Sequence, residues 1–272
     1  MKREKLFTAS KLALAAGLLM TASSAMAGIA NTKHNLGSSG TKTNQYSGTA
    51  EICVFCHTPH GADTSASVPL WNKTLGDPTT YTSYASLNTT TLDGATAPVG
   101  SVSLACLSCH DGTQAMDSVL NEPGSGATVA SYSTGQTWTG PAGGSTPVGS
   151  LNYATPSIVN LSKDLSNDHP VGIQYGGGNI TSAAIAAATK DPDFKAPQHA
   201  TVNTNNVWWV DTEATPNGTR QKTDMLLYTR SDLGPVEPFV ECASCHDPHT
   251  ENVTFLRISN DSSAVCLACH TK

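Results

Sequence analysis

All eight cysteines of this 272-residue chain fall into four copies of one pattern, Cys-x-x-Cys-His: Cys53, Cys56 and His57; Cys106, Cys109 and His110; Cys242, Cys245 and His246; Cys266, Cys269 and His270. The same 8 Cys and 9 His scattered at random would give roughly 0.008 such matches. Three chemistries use paired cysteines. Disulfides account for the even number but not for the His after every second Cys. Zinc accepts Cys-x-x-Cys pairs, two to a site, and also leaves the His unexplained. Covalent c-type haem uses every member: two thiols add to the two porphyrin vinyl groups, and the adjacent imidazole is placed under the iron. The pattern predicts four covalently attached c-type haems, held by these eight cysteines, with haem iron on His57, His110, His246 and His270.

The opposite side of each iron needs a second ligand or stays open. Beyond residue 27 the remaining imidazoles are His34, His60, His169, His199 and His249, five candidates for four irons, against two methionines, Met116 and Met225. Bis-His ligation throughout is the economical answer. It fills the coordination sphere, which suits passing electrons rather than transforming a substrate; a haem reductase would need an open iron. His60 and His249 each lie three residues after a proximal ligand, in His57-Thr58-Pro59-His60 and His246-Asp247-Pro248-His249, and project from the same side of their own haem. Each is therefore expected to ligate a neighbouring haem. The first and third motifs share their flanks, as do the second and fourth, so a two-haem unit occurs twice. On that repeat His60 serves the haem of Cys106 and Cys109, and His249 that of Cys266 and Cys269, which leaves His34, His169 and His199 for the others. Pro170 holds the backbone of His169 extended. His34, on a polar Gly/Ser-containing segment, is expected either at the first haem or lent to an adjacent subunit.

The elements that must hold these groups are sparse. Only 13% of residues are charged, against a usual share of about 25%, and 6% are aromatic, while there are 23 Gly and 15 Pro. The chain reads as mostly coil with a few short helices and short strands, built around a continuous haem core. Helices are expected at residues 114–120 and 181–190, strands at 207–210 and 253–258, and loop at 124–149. Trp208 and Trp209 read as core. Residues 1–27 have a basic start, an apolar run at 12–20 and Ala25-Met26-Ala27, the pattern of a secretory signal peptide. Cleavage before Gly28 removes Lys2, Arg3, Lys5, Lys11 and Glu4, which takes the net charge from −6 to −9. That balance speaks against nucleic acid and anionic membrane as partners, and no later stretch reads as a membrane span. Residues 28–272 form one expected tetrahaem domain, with haem-pair motifs at 53–110 and 242–270 and a Ser/Thr/Gly-rich segment at 111–241 between them.

Taken in order, His34-Asn35-Leu36, Cys53 to Gly61 (with Thr58-Pro59-His60), Pro69-Leu70-Trp71, Cys106 to Gly112, Asp168-His169-Pro170-Val171-Gly172 and Cys242 to His249 are similar to the secreted multihaem cytochromes of metal-reducing bacteria, in particular to tetrahaem members that form filaments. The resemblance implies distal ligands His34, His60, His169 and His249, with His199 outside the pattern. It also implies export through the periplasm to the cell surface or medium and self-association into a filament. Haems stacked in a line would then pass electrons to extracellular acceptors such as metal oxides and exchange them with other redox cytochromes. A monomeric periplasmic carrier is the alternative.

With so thin an apolar core, haem is expected to be a folding requirement. Replacing all eight cysteines by Ser should give a chain that is unfolded or degraded; recovery of a compact, protease-resistant apoprotein would show that the polypeptide suffices.

Overall fold

The computed structural model describes residues 28–122, 136–153, 157–168, 170–180, 189–215, 217–230 and 237–272. The expected signal peptide, most of the expected helix at 181–190, and His169 lie outside these residues. Most of the described chain is coil. Its helices are α1 (Ser101–His110), α2 (Cys242–Cys245) and α3 (Ala264–Cys269), with several single 3-10 turns between them. Strands β1 (Gln45–Tyr46) and β2 (Trp138–Thr139) pair antiparallel. Strands β3 (Ile173–Gln174), β4 (Gln198–Val202), β5 (Asn205–Val210), β6 (Met225–Thr229) and β7 (Pro238–Val240) form an antiparallel sheet in the order β3-β7-β6-β5-β4. Among the described residues no helix is long and apolar enough to cross a membrane.

The core is divided into three clusters, and each touches cysteines of the haem motifs. Leu36, Tyr46, Val54, Phe55, Met116 and Trp138 belong to the first, which packs against Cys56 and Cys109. The second, around Tyr81, Leu104, Leu107 and Val171, carries one face of α1 and reaches Cys242. The third lies on the larger sheet, where Trp208, Val210, Met225 and Leu227 pack with Tyr175 and Ala268 against Cys245 and Cys269. Trp208 and Trp209, adjacent in β5, are both 1% exposed, as expected of core residues. The expected strand at 207–210 lies within β5.

Two expectations fail for identifiable reasons. Residues 114–120 turn without forming a helix. The carbonyls of Ala115, Met116 and Ser118 accept hydrogen bonds from Lys73 Nζ, and the Met116 N–H goes to Gly149, so the bonds a helix would make internally are made elsewhere. Residues 253–258 do not run as a strand. Thr254 and Phe255 take φ of 54° and 58°, a region non-glycine residues seldom occupy, and this turns the Thr254 carbonyl towards His246.

A buried polar junction joins α1 to α2. Glu241, 2% exposed, accepts from Ser103 Oγ and from Arg230 Nη1 at 3.1 Å, while Ser103 Oγ also takes the Cys242 N–H at 2.9 Å. Arg230 also donates to the Pro98 carbonyl at 2.7 Å. Gly100, just before α1, must lack a side chain because a Cβ there would collide with the Glu241 carboxylate. Burial pushes the Glu241 carboxyl up, and its bonds to Ser103 and Arg230 oppose this. Removing the guanidinium in Arg230→Met strands a buried carboxylate. Such losses cost about 3–5 kcal/mol, so the variant should show a clearly lower thermal unfolding midpoint than wild type.

Candidate haem-binding site

Each motif is one helical turn. The His57, His246 and His270 N–H groups bond the carbonyls of Cys53, Cys242 and Cys266, at 2.7, 3.1 and 2.9 Å, and the second motif is the last turn of α1. A Cys-x-x-Cys-His turn sets both thiols on one face with the imidazole beside them. No two of the eight cysteines are joined in a disulfide.

Every motif ends in a short pairing with a segment that returns beside it. His57 bridges Trp71, His246 bridges Leu256 and His270 bridges Phe194, while Leu161 N–H bonds the His110 carbonyl at 2.7 Å. In three of the four this segment also fixes the ring. His57 Nδ1 donates to the Pro69 carbonyl, His110 Nδ1 to Val159 and His246 Nδ1 to Thr254, each at 2.8 Å. With the proton held on Nδ1, Nε2 keeps its lone pair and a fixed direction, as a metal-binding imidazole requires. His270 packs instead on the Phe194 ring, centroids 4.2 Å apart.

Two distal rings stand opposite proximal ones. His57 faces His249 with ring centroids 6.2 Å apart, and His110 faces His34, also at 6.2 Å. An imidazole nitrogen lies about 2 Å from a first-row metal and about 1.1 Å from its own ring centroid, so two imidazoles sharing one iron have centroids about 6.3 Å apart. Among the described residues no three His, Cys, Asp or Glu side chains converge as a metal site. Two protein donors at this spacing suit an iron whose other four positions a macrocycle fills. Apolar side chains next in sequence to the anchoring carbonyls are consistent with this: Leu70 is 53%, Ile158 94% and Val253 84% exposed, apolar surface that an apolar group such as a porphyrin face could cover. The residues fit haem.

Burial disfavours the charged form of two of these rings, His34 and His110. Burial lowers His34 to about 4, with His110 adding to this and a backbone hydrogen bond with Pro248 opposing it, so at neutral pH the ring is the uncharged form that binds metal. Its face stacks on Phe255 at 4.1 Å and 11°. Burial likewise lowers His110. Asp247 Oδ1 lies 3.2 Å from His249 Nδ1, which leaves that ring's Nε2 as the nitrogen available to a metal.

These pairings differ from those the repeat suggested. His249 stands opposite His57, not beside the fourth motif, and the place opposite His110 is taken by His34, not His60. Local likeness of the first and third motifs describes how a His leaves its turn; it does not say which motif lies across from it. His34 thus lies beside the proximal ring of the second motif of its own chain. Among the described residues neither His60 nor His199 faces a proximal ring. His60 is exposed, and His199 Nε2 bonds Asn206 Oδ1 at 3.0 Å while its ring packs on Trp208. The anchoring carbonyls of Pro69, Val159 and Thr254 were invisible in the sequence, because any residue supplies a carbonyl.

The thiols form a series. Burial raises Cys56 to about 12, with nearby Cys109 adding to it. Cys106 bonds Cys242, which holds the Cys106 thiol protonated and lowers Cys242. Burial raises Cys245, and Cys266 adds to it. Each motif thus lies near the next, as the shared apolar clusters also show.

Residues 234–272, which hold the third and fourth motifs, match a family model described as a doubled CXXCH motif. No curated protein matches the chain. The doubled motif with the paired imidazoles is the attachment pattern of an electron-carrying multihaem c-type cytochrome.

If His249 and His34 serve different irons, His249→Ala and His34→Ala should each convert one haem from low-spin to high-spin, and the double variant should convert two. Resonance Raman spectra and carbon monoxide titration of the reduced protein count them; a double variant with one altered haem would place both ligands on a single iron.

Proposed function

We propose that this multihaem c-type cytochrome carries four haems and conducts electrons along them as the repeating unit of an extracellular filament. Bound at these residues, haem supplies a one-electron ferric/ferrous couple and needs no substrate bond to be made or broken. The observation that carries the reading is that shared apolar clusters seat neighbouring motifs: Cys56 and Cys109 pack on one, Cys245 and Cys269 on another, and the cluster holding Leu104 and Leu107 of α1 reaches Cys242. Successive motifs are thereby neighbours in sequence order, an arrangement that supports electron transfer from one haem to the next.

The chain's own residues hold the proximal rings in place. Carbonyl anchors fix three proximal rings, and the pairs His57/His249 and His34/His110 would each hold one iron between two imidazoles, leaving it no open position for a substrate. The three apolar clusters seat neighbouring motifs on shared cores. For the irons of His246 and His270 we assign His169 and His60 as the remaining distal ligands. Exposed His60 is the one free to reach an iron of an adjacent copy.

Polymerisation itself is drawn from the resemblance to OmcE, a tetrahaem cytochrome that assembles into extracellular filaments. An interface that joins unlike surfaces without closing gives an open polymer, and a His lent across it ties growth to ligation. Partners are then other copies of the chain, other redox cytochromes and extracellular acceptors, and the location is outside the cell.

Electron microscopy of the secreted fraction should show filaments for wild type. His60→Ala should give a protein with its full haem content that remains monomeric and has one altered iron. Wild-type monomers only would support the soluble periplasmic carrier, and normal filaments from the variant would remove His60 as the link.

A further inference from the structure

Lys73 is 0% exposed, and its Nζ donates to the carbonyls of Ala115, Met116 and Ser118 at 3.0, 3.2 and 2.7 Å. Three acceptors use three N–H bonds, and only the ammonium form has three. The group is a buried cation. Among the described residues no carboxylate lies within ion-pairing distance of it. The closest in sequence to its acceptors, Asp117, is bonded to Trp138 Nε1 at 3.0 Å.

Tying two segments together does not require a charge. The adjoining Asn72, also 0% exposed, does it with an amide that reaches the Val54 and Asn121 carbonyls at 2.7 and 3.0 Å. An ammonium costs much more to desolvate than an amide, so the charge at 73 calls for a reason beyond the tie. Its neighbourhood supplies one. Lys73 continues the segment that returns beside the first motif, where the Asn72 N–H bonds the Cys56 carbonyl at 2.8 Å and Trp71 stands edge-on to the His57 ring at 6.0 Å. The Lys73 charge is felt at the Cys56 sulfur, where it opposes the effect of burial.

We infer that the Lys73 ammonium raises the reduction potential of the haem held by Cys53, Cys56 and His57. Reduction adds one negative charge to that site. A fixed cation in a weakly screened interior stabilises the reduced form, whereas surface charges are damped by water and salt. The inference rests on the haem reading of the first motif. It gives that site a potential distinct from the other three, which the shared motif alone would not.

The test uses purified holoprotein, with haem content measured by pyridine haemochrome absorbance and potentials by spectroelectrochemical titration. Lys73→Met keeps the unbranched stem and removes the charge; Lys73→Gln also keeps amide donors. Either variant, with wild-type haem content, should move one of the one-electron waves to lower potential and leave the rest in place. The displaced haem should be roughly tenfold more oxidised at its former midpoint, about 59 mV for a one-electron couple. A titration superimposable on wild type overturns the inference, and so does an equal shift of every wave. If both variants lose haem, Lys73 is a structural tie and the inference falls. Wild type without haem would instead defeat the haem reading itself.

Discussion

An imidazole that offers Nε2 to a metal must be held by Nδ1, and no side chain within the motif does so. The carbonyls of Pro69, Val159 and Thr254 meet this need from segments outside the motif turns. Those segments must come back alongside the motifs and turn a carbonyl inward, which explains the strained backbone at Leu70 and Thr254 and the scarcity of long regular elements. A helix or strand keeps its carbonyls for its own ladder. Coil, stiffened by proline and by short bridges, leaves them free for the rings.

The apolar interior follows the same demand. A single large core would seat four attachment turns far apart, whereas three small clusters each sit beneath a pair of neighbouring motifs. Three of the buried charges, Lys73, Arg230 and Glu241, sit at joints between segments. Glu241 and Arg230 lock α1 to α2, and Lys73 with Asn72 locks the first motif to residues 115–121. A chain with so small a charged fraction has spent several of its charges inside, which makes these junctions specific in geometry and costly to disturb.

How far the sequence could be read depended on where each signal resides. Cys-x-x-Cys-His spacing is chemistry written in side chains, and the paired imidazoles are all residues singled out beforehand. The short apolar run Val207 to Val210 read as a strand and its tryptophans as core, and both are found so. What could not be read was which ring faces which, since His249 and His57 meet through loops whose course depends on Asp247, Pro248 and the packing beneath them. The failed helix at 114–120 had the right composition; a lysine some forty residues earlier takes its carbonyls. The failed strand at 253–258 was displaced by the need to present one carbonyl to His246. In both cases a long-range polar contact overrode local propensity.

Phe255 stacks on His34, and Asn31 bonds Glu251, a contact spanning 220 positions. During synthesis the first and second motifs therefore emerge long before the chain that supplies or seats their distal rings. Loop closure over such a span is slow, and it gains nothing until both ends are in place. The early sites are therefore completed late: until the C-terminal part arrives, His57 has no His249 ring opposite it and His34 no Phe255 ring to stack on.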